Sequence, residues 1–152
     1  MKFVFTGEVK LHLGVTLRRI KKAIDGELGG WLEKESNLSH EGDAWVSGDA
    51  WVSGDARVSG NAWVSGNALV SGNALVSGDA EIAWFSKVGS RLSTLTVTRQ
   101  KDKSLHIVTG CFTGSLDEFA KQVEVTHGEN KYGREYRALI AYIKIRFEKV
   151  TP

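Results

Sequence analysis

Basic side chains with a neighbouring hydroxyl are the residues of this sequence best suited to chemistry. Five cationic residues fall between positions 87 and 103, opposed there only by Asp102; they are Lys87, Arg91, Arg99, Lys101 and Lys103. Because Lys and Arg side chains together with backbone amides bind phosphate well, we predict an anion site. Its residues would be Lys87, Ser90, Arg91, Arg99 and Arg134. The alternative is a solvated basic face, which charge runs usually form.

A catalytic centre is harder to assemble from these residue types. Cys111 lies between a predicted strand and a predicted helix start, where a helix dipole would favour the thiolate, and His106 or His127 could act as its base. A lone cysteine is more often a small core residue, and His127 suits a helix C-terminus. His12 and His40 have no partner at metal-ligand spacing. We therefore predict no catalytic residue, no metal site and no cofactor, and the sequence favours a protein that is not an enzyme.

The main element that can position these groups is a short repeat. One hexapeptide occurs seven times between Gly42 and Ala83. The copies read GDAWVS, GDAWVS, GDARVS, GNAWVS, GNALVS, GNALVS and GDAEIA. A fixed short period is typical of a solenoid, in which neighbouring copies must stack. In each copy Ala and Val flank one variable residue, so in a short strand both point inward and the variable residue points outward. The Ser, Gly and Asp or Asn residues between these triplets predict corners.

The repeat resembles the left-handed parallel β-helix of the hexapeptide-repeat proteins. The resemblance implies a triangular prism with three hexapeptides in each coil and commonly a homotrimer. Stacking at eighteen residues would then pair Trp45 with Trp63 and Trp51 with Leu69. It would also pair Arg57 with Leu75.

The outward positions of the repeat are unusually apolar. They are Trp45, Trp51, Trp63, Leu69 and Leu75. Each aromatic side chain buries about 150 to 250 Å², so the three Trp residues could together form a patch as large as any on a typical soluble monomer. We predict that these positions pack under the flanks of the chain or across a trimer interface. An aromatic platform for a ligand is the alternative.

A second resemblance covers nearly the whole chain. The runs LRRIKKAIDGELGGWLEKESNLSHEGDAWV, WFSKVGSRLSTLTVTR, GCFTGSLDEF and THGENKYGREY resemble a family of uncharacterised bacteriophage and prophage hexapeptide-repeat proteins. This resemblance implies a phage origin and the architecture above. It implies no particular biochemical role.

Composition and charge limit the classes of protein further. The chain has 152 residues, of which 41% are hydrophobic, and its first residues, MKFVFTGEVK, do not resemble a signal peptide. One cysteine fits a reducing cytosol, and no run approaches the about 18 apolar residues of a membrane span. Residues 42–83 hold five acidic residues and one Arg, whereas residues 84–152 hold twelve basic and seven acidic residues. We expect a cytoplasmic protein with no membrane contact, and nucleic acid is disfavoured as a partner.

The N-terminal flank, residues 1–41, reads as a strand and cap region. Alternating apolar residues predict a strand over residues 9–17, bent at Gly14. Glycine predicts turns at residues 25–26 and 29–30. Leu32 and Leu38 are six residues apart, so a degenerate form of the repeat begins there.

The C-terminal flank, residues 84–152, predicts two strands and two helices. Residues 92–99 and 105–111 read as a hairpin around the turn QKDKS. Ser115 and Glu118 predict a capping box for a helix that ends at Gly128, and a second amphipathic helix spans about residues 131–148. The fold class is therefore mainly β: a short β-helix over residues 42–83 with an appended ββαα module. The resemblance to hexapeptide-repeat proteins implies a left-handed coil and a trimer. The module's apolar helix face would pack on the hairpin or on the outward Trp residues.

Three classes of function remain. The first is a phage-derived, non-enzymatic binding protein that sequesters a small anionic host signal of the nucleotide type or blocks a host defence protein. The second is an acyltransferase-like enzyme, because the resemblance implies that the same prism serves acyltransferases, although this repeat is short and contains no His. The third is a structural role as a trimerisation element of a virion. We favour the first, in the cytoplasm of an infected bacterial host.

Overall fold

The computed structural model describes residues 1–110 and 112–148. The N-terminal part contains β1 (Phe3–His12), β2 (Val15–Lys22) and β3 (Leu28–Leu32). The repeat contains the two-residue strands β4 (Trp45–Val46), β5 (Trp51–Val52), β6 (Arg57–Val58), β7 (Trp63–Val64), β8 (Leu69–Val70) and β9 (Leu75–Val76). The C-terminal part contains β10 (Ile82–Val88), β11 (Ser93–Arg99), β12 (Leu105–Thr109), β13 (Phe112–Ser115), α1 (Leu116–His127) and α2 (Lys131–Arg146). The protein is mainly β, as predicted, and Cys111 lies outside the described residues.

The short strands stack in parallel pairs one coil apart. Strand β4 pairs with β7, β5 with β8 and β6 with β9, so that Trp45 lies over Trp63, Trp51 over Leu69 and Arg57 over Leu75. The predicted eighteen-residue register is therefore confirmed. The Ala and Val positions of the first six copies point inward and are almost fully buried, where they form a continuous core. This core holds the coils together, since burial of apolar area is the main favourable contribution to folding.

The corners of the coils need glycine. Gly60 has a φ of 62°, and a Cβ atom there would lie 2.2 Å from the carbonyl oxygen of Ser77 in the next coil. A side chain at this corner would therefore be excluded by both the backbone conformation and the close stacking.

The N-terminal part continues the stack. Its five-stranded sheet has the order β1-β2-β3-β5-β8, in which Leu32 of β3 pairs in parallel with Val52. Leu38 forms an isolated parallel bridge with Val58. The predicted degenerate start at Leu32 and Leu38 is confirmed, although both residues pair at an offset of twenty residues rather than eighteen.

Two predictions for the N-terminal part were wrong. Residues 9–17 form a hairpin of β1 and β2 rather than one bent strand, and the chain reverses at Leu13 and Gly14, which both have positive φ. Gly29 and Gly30 lie inside β3 and form no turn. A Cβ atom on Gly30 would lie 2.6 Å from the carbonyl oxygen of Ala50, so these glycines allow close packing of β3 on the first coil.

The C-terminal part has two more strands than predicted. Its sheet has the order β10-β11-β12-β13, and the predicted hairpin is the pair β11 and β12. The seventh copy of the repeat leaves the stack, because a 3-10 turn at Asp79–Glu81 leads into β10, which pairs antiparallel with β11. The predicted ββαα module is therefore a four-stranded sheet followed by two helices. The domain limits at residues 41 and 83 stay a prediction.

Both helices begin where the sequence predicts. Ser115 and Glu118 form the capping box of α1, and Gly128 follows its last residue. Helix α2 ends at Arg146, two residues earlier than expected. Neither helix of the described residues is long and apolar enough to cross a membrane.

The sheet of the C-terminal part uses its two faces differently. Leu95, Val97 and Ile107 pack against α1 and α2 in a second core, which confirms the predicted packing of the helices on the hairpin. The opposite face, which carries Thr96, covers the open end of the solenoid: the Leu69 N–H donates to Thr96 Oγ1 at 3.0 Å. The sheet therefore caps the last coil.

Candidate ligand groove and the predicted anion site

The structure covers the outward apolar positions of the repeat to very different degrees. Trp45 is only 4% exposed, because β3 and the Lys22 side chain lie over it. Trp51 stacks in register with Trp31 and is partly buried, as are Leu69 and Leu75. Trp63 differs, because the residue is 54% exposed.

Trp63 is exposed because the next coil is incomplete. A seventh copy in register would place its outward residue over Trp63, but the chain turns away at Asp79–Glu81. The backbone N–H of Trp63 donates to Asp79 Oδ1 at 3.1 Å instead of to a stacked strand. An aromatic side chain is thereby left at the open edge of its stack.

Aromatic side chains from three parts of the chain surround the space beside Trp63. This open groove has a volume of about 490 Å³. We call it the aromatic groove and define it by Trp63, Trp84, Phe85, Tyr142, Asp79 and Arg146. The groove combines exposed aromatic rings with a cationic group.

Three elements position the four aromatic side chains, and Trp63 comes from β7. Trp84 and Phe85 come from β10, and the Phe85 and Tyr142 rings meet edge to face with their centroids 5.6 Å apart. Trp84 packs over a corner of the last coil, where a Cβ atom on Gly66 would lie 3.3 Å from its indole nitrogen. Tyr142, on the face of α2 away from the second core, keeps 51% of its surface exposed.

Arg146 fixes the polar end of the aromatic groove. Its guanidinium donates to the carbonyl oxygens of Asp79 at 2.8 Å, Ala80 at 3.2 Å and Ile82 at 3.3 Å. These bonds tie the end of α2 to the turn that leaves the solenoid. In the described part of the chain Arg146 has no carboxylate partner within ion-pair distance. Its guanidinium also lies over the Phe147 ring, 5.1 Å from the centroid. The groove can therefore stack a planar ring beside a positive charge.

The structure does not gather the five residues of the predicted anion site. Arg99 ends β11, where its guanidinium donates to the carbonyl oxygens of Lys103 at 2.9 Å and Phe147 at 2.8 Å. Ser90 and Arg91 lie in the turn that precedes β11. A seven-residue strand is about 23 Å long, so the two groups lie at opposite ends of the sheet. Arg99 has a structural role at the end of α2.

The remaining residues of that prediction lie near one another but line none of the depressions described here. The Gly89 N–H donates to Glu135 Oε1 at 2.7 Å, which holds the turn containing Ser90 and Arg91 against α2. Arg134 is exposed in the first turn of α2. Burial and the Glu135 carboxylate raise the pKa of Tyr136, and Arg91 opposes this rise. Anion binding by this group stays a prediction.

Lys87 occupies a special backbone position. It has a φ of 60° within an irregularity of β10 between Phe85 and Val88. Strand β10 is at the edge of its sheet, and a lysine beside a bulge is a common device that prevents pairing with another strand. This arrangement accounts for Lys87 without a ligand.

The histidines of the C-terminal part make structural contacts. His106 lies over the corner at Gly72, with its Nε2 3.1 Å from Thr113 Oγ1 and 3.4 Å from Ser71 Oγ. Burial lowers the pKa of His106. His127 stacks on Tyr136 with the ring centroids 5.7 Å apart. Within the described residues, no three His, Cys, Asp or Glu side chains are placed to hold a metal ion.

Sequence reasoning identified Trp63 as an outward residue but missed its neighbours. The predicted hairpin begins at residue 92 and so omits Trp84 and Phe85. Tyr142 and Arg146 fall in the predicted second helix, whose apolar face is expected to pack on the hairpin or on the outward Trp residues. The apolar run from Ile82 to Phe85 was the available signal, because it extends the last copy of the repeat into a longer strand.

Comparison with known proteins supports the solenoid alone. A family model described as the YdcK beta solenoid repeat matches residues 50–66. No curated protein matches the chain significantly. The matched residues run from β5 to the corner after β7, so the similarity covers one coil of the stack and none of the C-terminal part of the aromatic groove.

Proposed function

We propose that this chain is a non-enzymatic binding protein built on a β-solenoid and that the aromatic groove is its ligand site. The observation that carries the proposal is the exposure of Trp63 and Tyr142 on two sides of a groove of about 490 Å³. Solvent contact with two large aromatic rings is unfavourable unless a ligand or partner covers them. The volume suits a small molecule.

The chemistry of the groove favours a flat, anionic ligand of the nucleotide type. A base could stack on Trp63 or Tyr142, since stacking on an aromatic side chain contributes about 1–3 kcal/mol for each base. Arg146 places a positive charge at one end of the groove, in the basic part of the chain. Its guanidinium can attract a phosphate while its hydrogen bonds to the carbonyl oxygens keep it in place.

The finer features of the prediction belong to the same proposal. We propose a left-handed coil, a homotrimer and a phage-derived protein that sequesters a nucleotide-type defence signal in the cytoplasm of an infected host. The sequence resemblance to phage hexapeptide-repeat proteins supports the origin. Exposed Val9, Leu11 and Leu13 on the hairpin of β1 and β2 supply apolar surface for contact between copies. Native mass spectrometry of the purified chain measures the number of copies directly.

Fluorescence titration with adenosine 5′-monophosphate tests the ligand site. Trp63 is the most exposed of the five tryptophans, so stacking of adenine should quench the emission of the protein. Trp63→Leu repeats the residue found at Leu69 and Leu75 and should preserve the coil. It should weaken binding by about 5- to 150-fold, the equivalent of one stacking contact. Tyr142→Ala should also weaken binding.

A matched control separates the groove from the general surface. Ile145→Ala removes an exposed apolar side chain from the same helix without touching the groove, so it should leave the affinity unchanged. If Trp63→Leu and Tyr142→Ala bind the nucleotide as tightly as the unmodified chain, the aromatic groove is not the site. If the unmodified chain does not bind, a nucleotide-type ligand is excluded, and native mass spectrometry of the protein purified from bacteria then tests for any other bound small molecule.

A further inference from the structure

A second depression lies on another side of the solenoid and has a different character. It has a volume of about 280 Å³ and is lined by Lys34, Ser36, Asp55, Arg57, Asn73 and Lys101. We call it the basic depression. Its residues come from the N-terminal part, from two stacked coils and from the loop between β11 and β12. Only the tertiary structure brings these three segments together.

The charges in the basic depression do not cancel. Lys34 Nζ forms an ion pair with Asp55 at 3.1 Å, which leaves Lys34 and Asp55 neutral as a pair. Arg57 and Lys101 have no carboxylate oxygen within ion-pair distance among residues 1–110 and 112–148. The depression therefore carries two uncompensated positive charges, which attract a doubly charged anion.

Arg57 is not required by the solenoid. It is the only basic residue in residues 42–83, and it occupies an outward position where the stacked residue of the next coil is Leu75. The backbone of Arg57 makes the same hydrogen bond to the next coil as the other copies do, since its N–H donates to the Ala74 carbonyl oxygen at 2.9 Å. Its guanidinium stays exposed and has no internal partner in the described chain.

The loop that carries Lys101 is held against the coil. The Lys101 N–H donates to the Asn73 carbonyl oxygen at 3.3 Å, and Gln100 forms a bridge with Ala74. The nearby Asp102 carboxylate is engaged by the backbone and hydroxyl of Ser104. Lys101 therefore lies beside the depression on a loop whose backbone is bonded to the last coil.

We propose that the basic depression binds the phosphate group of a small phosphorylated molecule. The planar guanidinium of Arg57 suits two phosphate oxygens, and the ammonium group of Lys101 suits the remaining charge. Ser36 and Asn73 add a hydroxyl and an amide to the lining. A phosphate monoester carries about −1.5 to −2 charges at neutral pH, which matches the excess of the site. This site is independent of the aromatic groove, with which it shares no residue.

Isothermal titration of the full chain tests the proposal, with glycerol 3-phosphate and inorganic phosphate as separate probes at low, constant ionic strength. Arg57→Leu should weaken glycerol 3-phosphate binding by about tenfold or more, the loss expected for a charge-assisted hydrogen bond. Arg57→Lys should retain part of the affinity. Equal affinity for both probes identifies a site for phosphate itself, and preference for glycerol 3-phosphate identifies a site for an ester.

Two controls make the result decisive. Lys121→Gln removes one positive charge from an exposed position of α1, and Trp63→Leu alters only the aromatic groove; both should bind the probes normally. Arg57→Leu should retain its urea midpoint, because Leu occupies the equivalent position of the next coil. If the unmodified chain binds neither probe, or if Lys121→Gln weakens binding as much as Arg57→Leu, the proposal is wrong.

Discussion

Replacing Thr96 by Val should lower the stability of the protein, because Thr96 accepts a backbone hydrogen bond at the place where the solenoid ends. In the complete coils, the outward residue donates its N–H to a carbonyl of the next coil, as Trp51 does to Ala68 at 3.1 Å. Leu69 has no such carbonyl above it, and Thr96 Oγ1 accepts its N–H at 3.0 Å instead. Thr96 is only 1% exposed. The hydroxyl of Thr96 thus accepts the hydrogen bond that a carbonyl oxygen of the next coil would accept in a complete stack.

The size of the effect follows from these contacts. Valine has nearly the same shape as threonine, so the substitution leaves no cavity but removes the acceptor of the Leu69 N–H. The bond is partly buried, and leaving its donor without a partner costs about 1–3 kcal/mol. For a chain of this length each kcal/mol lowers the melting temperature by about 2–4 °C, so Thr96→Val should melt about 2 to 12 °C lower.

Thermal and urea unfolding by circular dichroism measure this loss at a fixed protein concentration. Thr16→Val is the matched control, because Thr16 is exposed in β2 and its substitution should change stability by less than about 0.5 kcal/mol. If Thr96→Val unfolds at the same temperature as the unmodified chain, the C-terminal sheet does not cap the solenoid through this bond.

Two further predictions concern the two ends of the solenoid. Gly30→Ala should destabilise the protein by about 1–3 kcal/mol, the range for overpacking, since the new Cβ would lie 2.6 Å from the Ala50 carbonyl oxygen; Gly78→Ala, with no atom within 4 Å, should be neutral in the same urea titration. Burial lowers the pKa of His106 below its ordinary 6.5 in the folded chain, so the unfolded chain binds the proton more readily and stability should fall as the pH drops below that value. His106→Gln should show a flatter dependence of the urea midpoint between about pH 7 and 5, whereas substitution of the exposed His12 by Gln should keep the original slope.

The N-terminal part illustrates why local sequence is ambiguous. Adjacent glycines predict a turn, but Gly29 and Gly30 are needed because β3 packs closely on Trp45 and on the first coil. Glycine suits both a tight turn and the close approach of two segments of backbone. Only the position of the neighbouring coil distinguishes the two uses.

The five residues of the predicted anion site do not lie together for a related reason. Its basic residues are near one another in sequence, but a strand separates the two ends of a segment by its full length. Arg99 stabilises the end of α2, whereas Lys101 lies beside Arg57 and Lys34. Sequence proximity predicted a single basic surface where the fold makes two.

The sequence by itself determined the stack of the repeat. The alternation of inward Ala and Val with an outward residue, and glycine at each corner, set the strands, their register and their core, because these features depend on contacts that recur at a fixed spacing. The capping box of α1 could also be predicted from the sequence, because it joins two residues only three positions apart. The aromatic groove and the basic depression were decided by the tertiary structure alone. Each joins residues that are far apart in the chain, and their meeting depends on where the last coil stops and how the C-terminal sheet closes it.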